Sequence, residues 1–283
     1  DGNFNGADGA GAALTIDGYT TDTTRYLRMF VPSSSSEVGT SQRHTGKEGT
    51  GVVIKPTTAA PASTYIPILI RDDFLRIEGI EFDGTNITNG KIIQAIYLDT
   101  PIADTSSDIR FDQLIIHDIT ISTVNDASQS GGTGIEILEG NVKISNSLMY
   151  DFTNLSTHSL SNFDGIVQWS GVDNVFFHNV TFLRIKNAGV GADYAHAINR
   201  IAGTLTVQNT FCGDLDSISG SETCFTGTMT QSNNVTFDTT ASGTGSKTMK
   251  TDYAVYFVES GTSNTDLHLR NSGKLLWGTD GAD

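Results

Sequence analysis

The chain has 283 residues, a formal charge of −15 at pH 7 and a pI near 4.6, with 37% hydrophobic residues and 30 glycines. That charge argues against nucleic-acid binding through phosphate contacts, and no apolar run is long enough for a transmembrane helix. Acidic surfaces suit secreted or virion proteins, divalent cations and basic partners, or simply solubility.

Residues 1–63 follow no repeat and read as an N-terminal cap with an irregular first coil and a long loop. Asp1, Asn3 and Asn5, with Gly6 and then Asp8, resemble the front half of an oxygen-rich Ca²⁺ loop, but Ala12 stands where a bidentate Glu is needed. Ca²⁺ is therefore a candidate cofactor and not a required one. Residues 14–18 and 26–31 read as strands of an incomplete first coil or a cap. Residues 33–51 are polar and turn-rich, with Arg43, His44 and Lys47 clustered, and read as an excursion loop.

From residue 64 a ten-residue pattern takes over. Its copies start at 75, 109, 142, 175, 205 and 235, at intervals of 34, 33, 33, 30 and 30. Such a period means a solenoid, whose repeats bury their apolar sides only by stacking. The first column reads Leu75, Ile109, Val142, Val175, Leu205 and Val235; the third reads Ile77, Phe111, Ile144, Phe177, Val207 and Phe237. Mostly polar residues lie between them, so each copy opens with a strand that has one face inward. The fifth column is Gly79, Gln113, Asn146, Asn179 and Asn209, where Gly and Asn tolerate the positive φ of a one-residue corner. The eighth column, Phe82, Ile116, Met149, Phe182 and Cys212, turns apolar again.

A second series occupies 94–98, 133–137, 164–168, 196–200 and 253–257, with 222–226 as a weaker member. Its spacing tracks the first series. The reading is all-β: a right-handed parallel β-helix, a single-stranded solenoid of about 6–8 coils with three short strands each, over 64–270. Residues 266–270 read as part of the last coil, and 271–283 as a closure or tail.

The stacked columns and the Asn corner resemble the pectin-lyase-like superfamily of right-handed parallel β-helices, which includes secreted β-helix repeat proteins and phage tailspike-like proteins. The resemblance spans roughly residues 64–270 and implies the fold and an extracellular, cell-surface or virion location. It does not imply one activity, because that superfold carries lyases, glycoside hydrolases, esterases, adhesins and inert virion parts.

Two constellations are candidates for chemistry. In the tenth column, Asp118 and Asp151 fall on adjacent rungs, with Arg184 on the next. Paired carboxylates suit glycoside hydrolysis, and carboxylates with an Arg base suit a polysaccharide lyase. The alternative is Asp capping a turn. In the second series, Asp164 and His196 share a column on adjacent rungs, above Thr133 and Gln94. A carboxylate beside a histidine makes an acid/base pair, or a ladder of hydrogen bonds on a solvent face. Glu136 and Asn199 share a nearby column and Arg200 follows. With Trp169 and Tyr97 they form a candidate sugar-binding set, since CH faces of sugars pack on aromatic rings. Tyr256 and Phe176 are further aromatics that the alternation turns outward. Cys212 and Cys224 read either as small core residues or as a loop-closing disulfide.

Three functions follow as expectations. The first is an extracellular or virion-surface structural solenoid that touches glycans and self-associates through its ends. The second is a polysaccharide lyase or glycoside hydrolase working on a lateral face. The third is a carbohydrate-binding adhesin without turnover.

Overall fold

The computed structural model describes residues 14–38, 41–55, 64–87, 92–99, 106–121, 130–156, 161–169, 174–188, 194–218, 221–248, 257–259 and 266–269. Alternating apolar residues put almost all of its regular structure into strands, and the strands stack in three parallel sheets. The first sheet runs Leu14–Ile16, Ile68–Ile70, Ile92–Leu98, Ser130–Ile137, Ser161–Gln168, Tyr194–Arg200 and Ser221–Thr226, with Thr64–Tyr65 also pairing to Ile92–Leu98. The second runs Leu27–Phe30, Phe74–Glu78, Asp108–Asp112, Val142–Ser145, Asn174–His178, Thr204–Gln208 and Thr230–Ser232. The third runs Val53–Ile54, Glu81–Asp83, Ile115–Ile121, Leu148–Asn154, Thr181–Asn187, Phe211–Ser217 and Val235–Thr236. The chain visits the sheets in that order, coil after coil, in a right-handed parallel β-helix. The first of these coils lies ahead of the ten-residue pattern, in residues 14–54, and contributes a strand to each sheet.

The corner between the second and third sheets follows the sequence. Gln113, Asn146, Asn179 and Asn209 sit at φ 54°, 49°, 56° and 51°, beside Gly79 at 73°. Asparagine tolerates this left-handed conformation best after glycine. Its side chain also ladders: Asn179 Nδ2 donates to Asn146 Oδ1 at 2.9 Å, and Asn146 Nδ2 to Asp112 Oδ1 at 2.9 Å.

The tenth column is a second left-handed position. Asp118, Asp151, Arg184 and Asp214 have φ of 54°, 58°, 55° and 51°, and the pairing register of the third sheet steps over each of them. The four strands Ile115–Ile121, Leu148–Asn154, Thr181–Asn187 and Phe211–Ser217 therefore each bend at one residue.

Inside, large residues face small ones. The first sheet offers the buried column Ala95, Gly134, Gly165, Ala197 and Cys224. Aromatic rings of the third sheet fill the space left by the glycines. A Cβ on Gly165 would stand 2.6 Å from the Ala197 carbonyl oxygen and 2.7 Å from the Phe182 ring. Gly165→Val is therefore expected to cost about 3 kcal/mol through overpacking. Thermal melts would read this, and an unchanged melting point would refute the packing argument. At the end of the same two columns Cys212 and Cys224 form a disulfide.

The C-terminal strands depart from expectation. Phe257–Glu259 and Asp266–Leu269 pair with each other, antiparallel, and do not form a last coil. The reason is an apolar outer face on the third sheet. Ile115, Tyr150, Leu183, Phe211 and Val235 point out of the solenoid, and Phe257 and Leu267 cover them. Phe257 meets Phe211 edge to face at 4.9 Å.

Candidate functional site

The first sheet's outer face carries most of the expected residues. Register places Gln94, Thr133, Asp164, His196 and Thr223 in one column, and Tyr97, Glu136, Val167, Asn199 and Thr226 in another. His196 Nδ1 lies 2.8 Å from Asp164 Oδ1, both side chains nearly buried, and the imidazole N–H donates to the carboxylate. Tyr194 stacks on the His196 ring at 5.3 Å and is itself exposed. Trp169 stands exposed just beyond the end of its strand. Between these rings lies a cavity of about 590 Å³ lined by Asn162, Asp164, Trp169, Tyr194, His196, Asn199, Thr223 and Thr226 among others.

Glu136 is half-buried one rung below Asp164. Burial pushes its carboxyl above the ordinary range, and the Asp164 charge adds to the rise, against an opposing hydrogen bond from Gln94. Gln94 Nε2 donates to Glu136 Oε2. Tyr97, on the next rung down, is half-buried and its phenol is also raised by burial. Arg200 lies between the lining residues Asn199 and Ile201. Its guanidinium donates to the Gly203 carbonyl, with Nε at 2.8 Å, so it clamps its own turn. Phe176 sits on the second sheet, stacked with His178, and not on the face of Trp169. The tyrosine that stacks on His196 is Tyr194, two residues earlier on the same strand, and strand alternation carries that signal.

The tenth-column residues belong to a different place, the outer face of the third sheet. Arg184 donates to Asp151 through Nε at 2.5 Å and Nη2 at 2.7 Å, as a nearly buried pair. Burial works against the Arg184 charge, and the Asp151 carboxylate outweighs it and raises the guanidinium. Asp118 turns instead to His117, whose Nδ1 is 2.9 Å from Asp118 Oδ2. The paired carboxylates expected from their adjacent rungs thus have separate partners.

His117 is the hub of a cluster that the columns did not disclose. Its Nε2 lies 3.0 Å from Glu81 Oε1, so both ring nitrogens donate to carboxylates. Residues 41–52 run across the third sheet as a strap and lead into its first strand, Val53–Ile54. Arg43 Nη1 donates to Gln113 Oε1 at 2.7 Å, and His44 Nε2 donates to the Gln113 carbonyl at 2.6 Å. The Gly49 N–H donates to both oxygens of Glu81, and the Tyr150 hydroxyl donates to Glu48 at 3.1 Å. Burial lowers His117, but the hydrogen bonds to Asp118 and Glu81 and the nearby charges win and raise its pKa to about 9. The strap walls a cleft of about 820 Å³ that reaches Glu48, Glu81, Asp83, His117 and Asp118. Glu48, His117 and Asp118 each present a ligand atom, all within 4.8 Å of one another, so the cluster could hold a metal ion. Within it His117 bonds to Asp118, and Glu48 accepts from Tyr150. Glu48 comes from a non-repeating loop, so no repeat spacing could have pointed to it.

The N-terminal Ca²⁺ candidates Asp1, Asn3, Asn5 and Asp8 lie outside the described residues, as does Tyr256. The chain matches no protein-family model, no curated protein and no solved structure. The chain's own architecture is a three-sheet parallel β-helix with a groove on the first sheet flanked by Trp169 and Tyr194.

Proposed function

We propose that the protein is an extracellular or virion-surface structural solenoid of the pectin-lyase-like kind, and that its first-sheet groove contacts a glycan. The observation that carries this reading is the pair of exposed rings, Trp169 and Tyr194, on either side of the Asp164–His196 pair in one cavity. Exposed aromatics beside fixed polar groups suit the alternating apolar and hydroxyl faces of a sugar. The Cys212–Cys224 disulfide supports an oxidising compartment. Self-association through the ends is part of the same reading. Leu14–Ile16 and Leu27–Phe30 each pair on one edge only among the described residues, and an open strand edge is a template for another chain.

The test is retention on immobilised polysaccharides by affinity electrophoresis. Trp169→Ala is expected to weaken retention about tenfold, the loss of one stacking platform, with the melting point unchanged. Equal retention by Trp169→Ala and Tyr194→Ala would remove the groove from the reading.

A second reading, a glycoside hydrolase, is favoured by one observation. Burial holds Glu136 toward its protonated form, and a carboxyl raised in this way is the pattern of the general acid in such enzymes. It requires that Glu136→Gln abolish cleavage of a polysaccharide that the protein still retains.

A further inference from the structure

We propose that the cleft beneath the strap takes one transition-metal ion of the zinc class, held by His117 Nδ1 and by the carboxylates of Glu48 and Asp118. The site lies on the third sheet and does not depend on the glycan reading of the first.

The donor set selects the class of ion. One imidazole with two carboxylates suits zinc and its neighbours, whereas Ca²⁺ and Mg²⁺ take oxygen ligands. The spacing agrees. Ligands about 2.0–2.1 Å from a tetrahedral ion stand roughly 3.3 Å from one another. Around His117 Nδ1, Asp118 Oδ2 lies at 2.9 Å and Glu48 Oε2 at 3.8 Å, on either side of that separation. All three side chains line the cleft, so a further coordination position opens onto it.

The imidazole is already set for this role. A metal-bound histidine gives its other ring N–H to a carboxylate, which fixes the tautomer and the ring. Glu81 supplies that carboxylate. It accepts from His117 Nε2 at 3.0 Å, is almost fully buried, and is itself held by the Gly49 N–H. The ion takes the place of the Nδ1 proton, so the doubly protonated imidazole is the metal-free state of the same cluster. The bond from Tyr150 to Glu48 survives, because a carboxylate has about four lone-pair sites. Charge favours the exchange. Among the described residues, Glu48, Glu81, Asp83 and Asp118 line the cleft against His117 and Lys55, and Lys55 is bonded to Asp83. The bound ion joins Glu48 of the strap to Asp118 of strand Ile115–Ile121, and so fastens one to the other.

The test uses the full chain, freed of metal with a chelator, and Zn²⁺ alone as the probe, read by calorimetry and by hydrogen exchange. One Zn²⁺ per chain is expected to bind, and exchange across 41–52 to slow on loading. Glu48→Gln and Asp118→Asn are each expected to weaken binding about a hundredfold, since loss of a mere supporting partner costs up to that. Glu81→Gln is expected to weaken it about tenfold. His178→Ala, on the second sheet, should bind as the parent does.

Binding that survives both ligand substitutions in full would put the ion elsewhere and overturn the site, as would no binding at all. Ca²⁺ binding as tight as Zn²⁺, and lost in the same variants, would overturn the class of ion. Should a variant misfold, the unaltered chain still decides, because exchange across 41–52 that Zn²⁺ does not slow would sink the link to the strap.

Discussion

Replacing His117 with alanine is expected to remove about 3 kcal/mol more stability below pH 6.5 than above pH 9. The size follows from the shift of one imidazole from 6.5 to about 9, at 1.36 kcal/mol for each unit. The native state binds the proton more tightly than the unfolded chain. Its contribution is therefore complete below the unfolded value and is lost as pH rises through 9. Urea melts of the unaltered chain should show stability falling across that window, and His117→Ala should flatten the fall. The groups facing the imidazole are Glu81 and Asp83 from the rung below, Asp118 beside it, Glu48 from the strap and Tyr150 stacked above. Lys55 is paired with Asp83. His44 is displaced the other way, lowered by burial, so its titration falls below the window. The loss should also be local. Glu81 ties His117 to Gly49, so hydrogen exchange across 41–52 should quicken more than in the coil interior. A pH profile shared by the variant and the parent would show that His117 does not fasten the strap.

Arg184→Ala is expected to cost roughly 3 to 5 kcal/mol, because it strands the Asp151 carboxylate at a nearly buried site. The backbone adds nothing to that loss, since arginine and alanine resist the left-handed region at φ 55° alike. Arg184→Gly should recover about 1 kcal/mol relative to Arg184→Ala, measured by paired urea melts. Glycan retention of the folded variant should match the parent, because the pair lies on the third sheet and the groove on the first. Loss of a glycan activity with unchanged stability would return the tenth column to chemistry.

The strand columns, the asparagine corner and the Asp164–His196 column were legible because a stacked coil makes sequence period equal to spatial adjacency. A residue one period later lies one rung away, so a list of columns is a list of contacts. The same rule explains the mistaken pairing of Asp118 with Asp151. Column position fixes where a Cα lies, but it does not choose between neighbours within reach. Asp118 had a histidine one residue before it, and Asp151 had Arg184 on the next rung.

The seventh column held a signal that period alone left unread. Ile115, Leu148 and Phe211 point outward, which required a cover.

By itself, then, the sequence determined the three-strand coil, its left-handed corners and the outer-face columns of the first sheet, since these depend only on local backbone preference and a constant repeat. The tertiary structure alone decided which side chains meet across non-repeating segments: the strap that brings Glu48 to His117 and Tyr150, the antiparallel C-terminal pair over the third sheet, and the bond between Cys212 and Cys224. Those contacts join residues at no fixed interval. They are set by which buried charge or apolar face remains to be covered once the coil has formed.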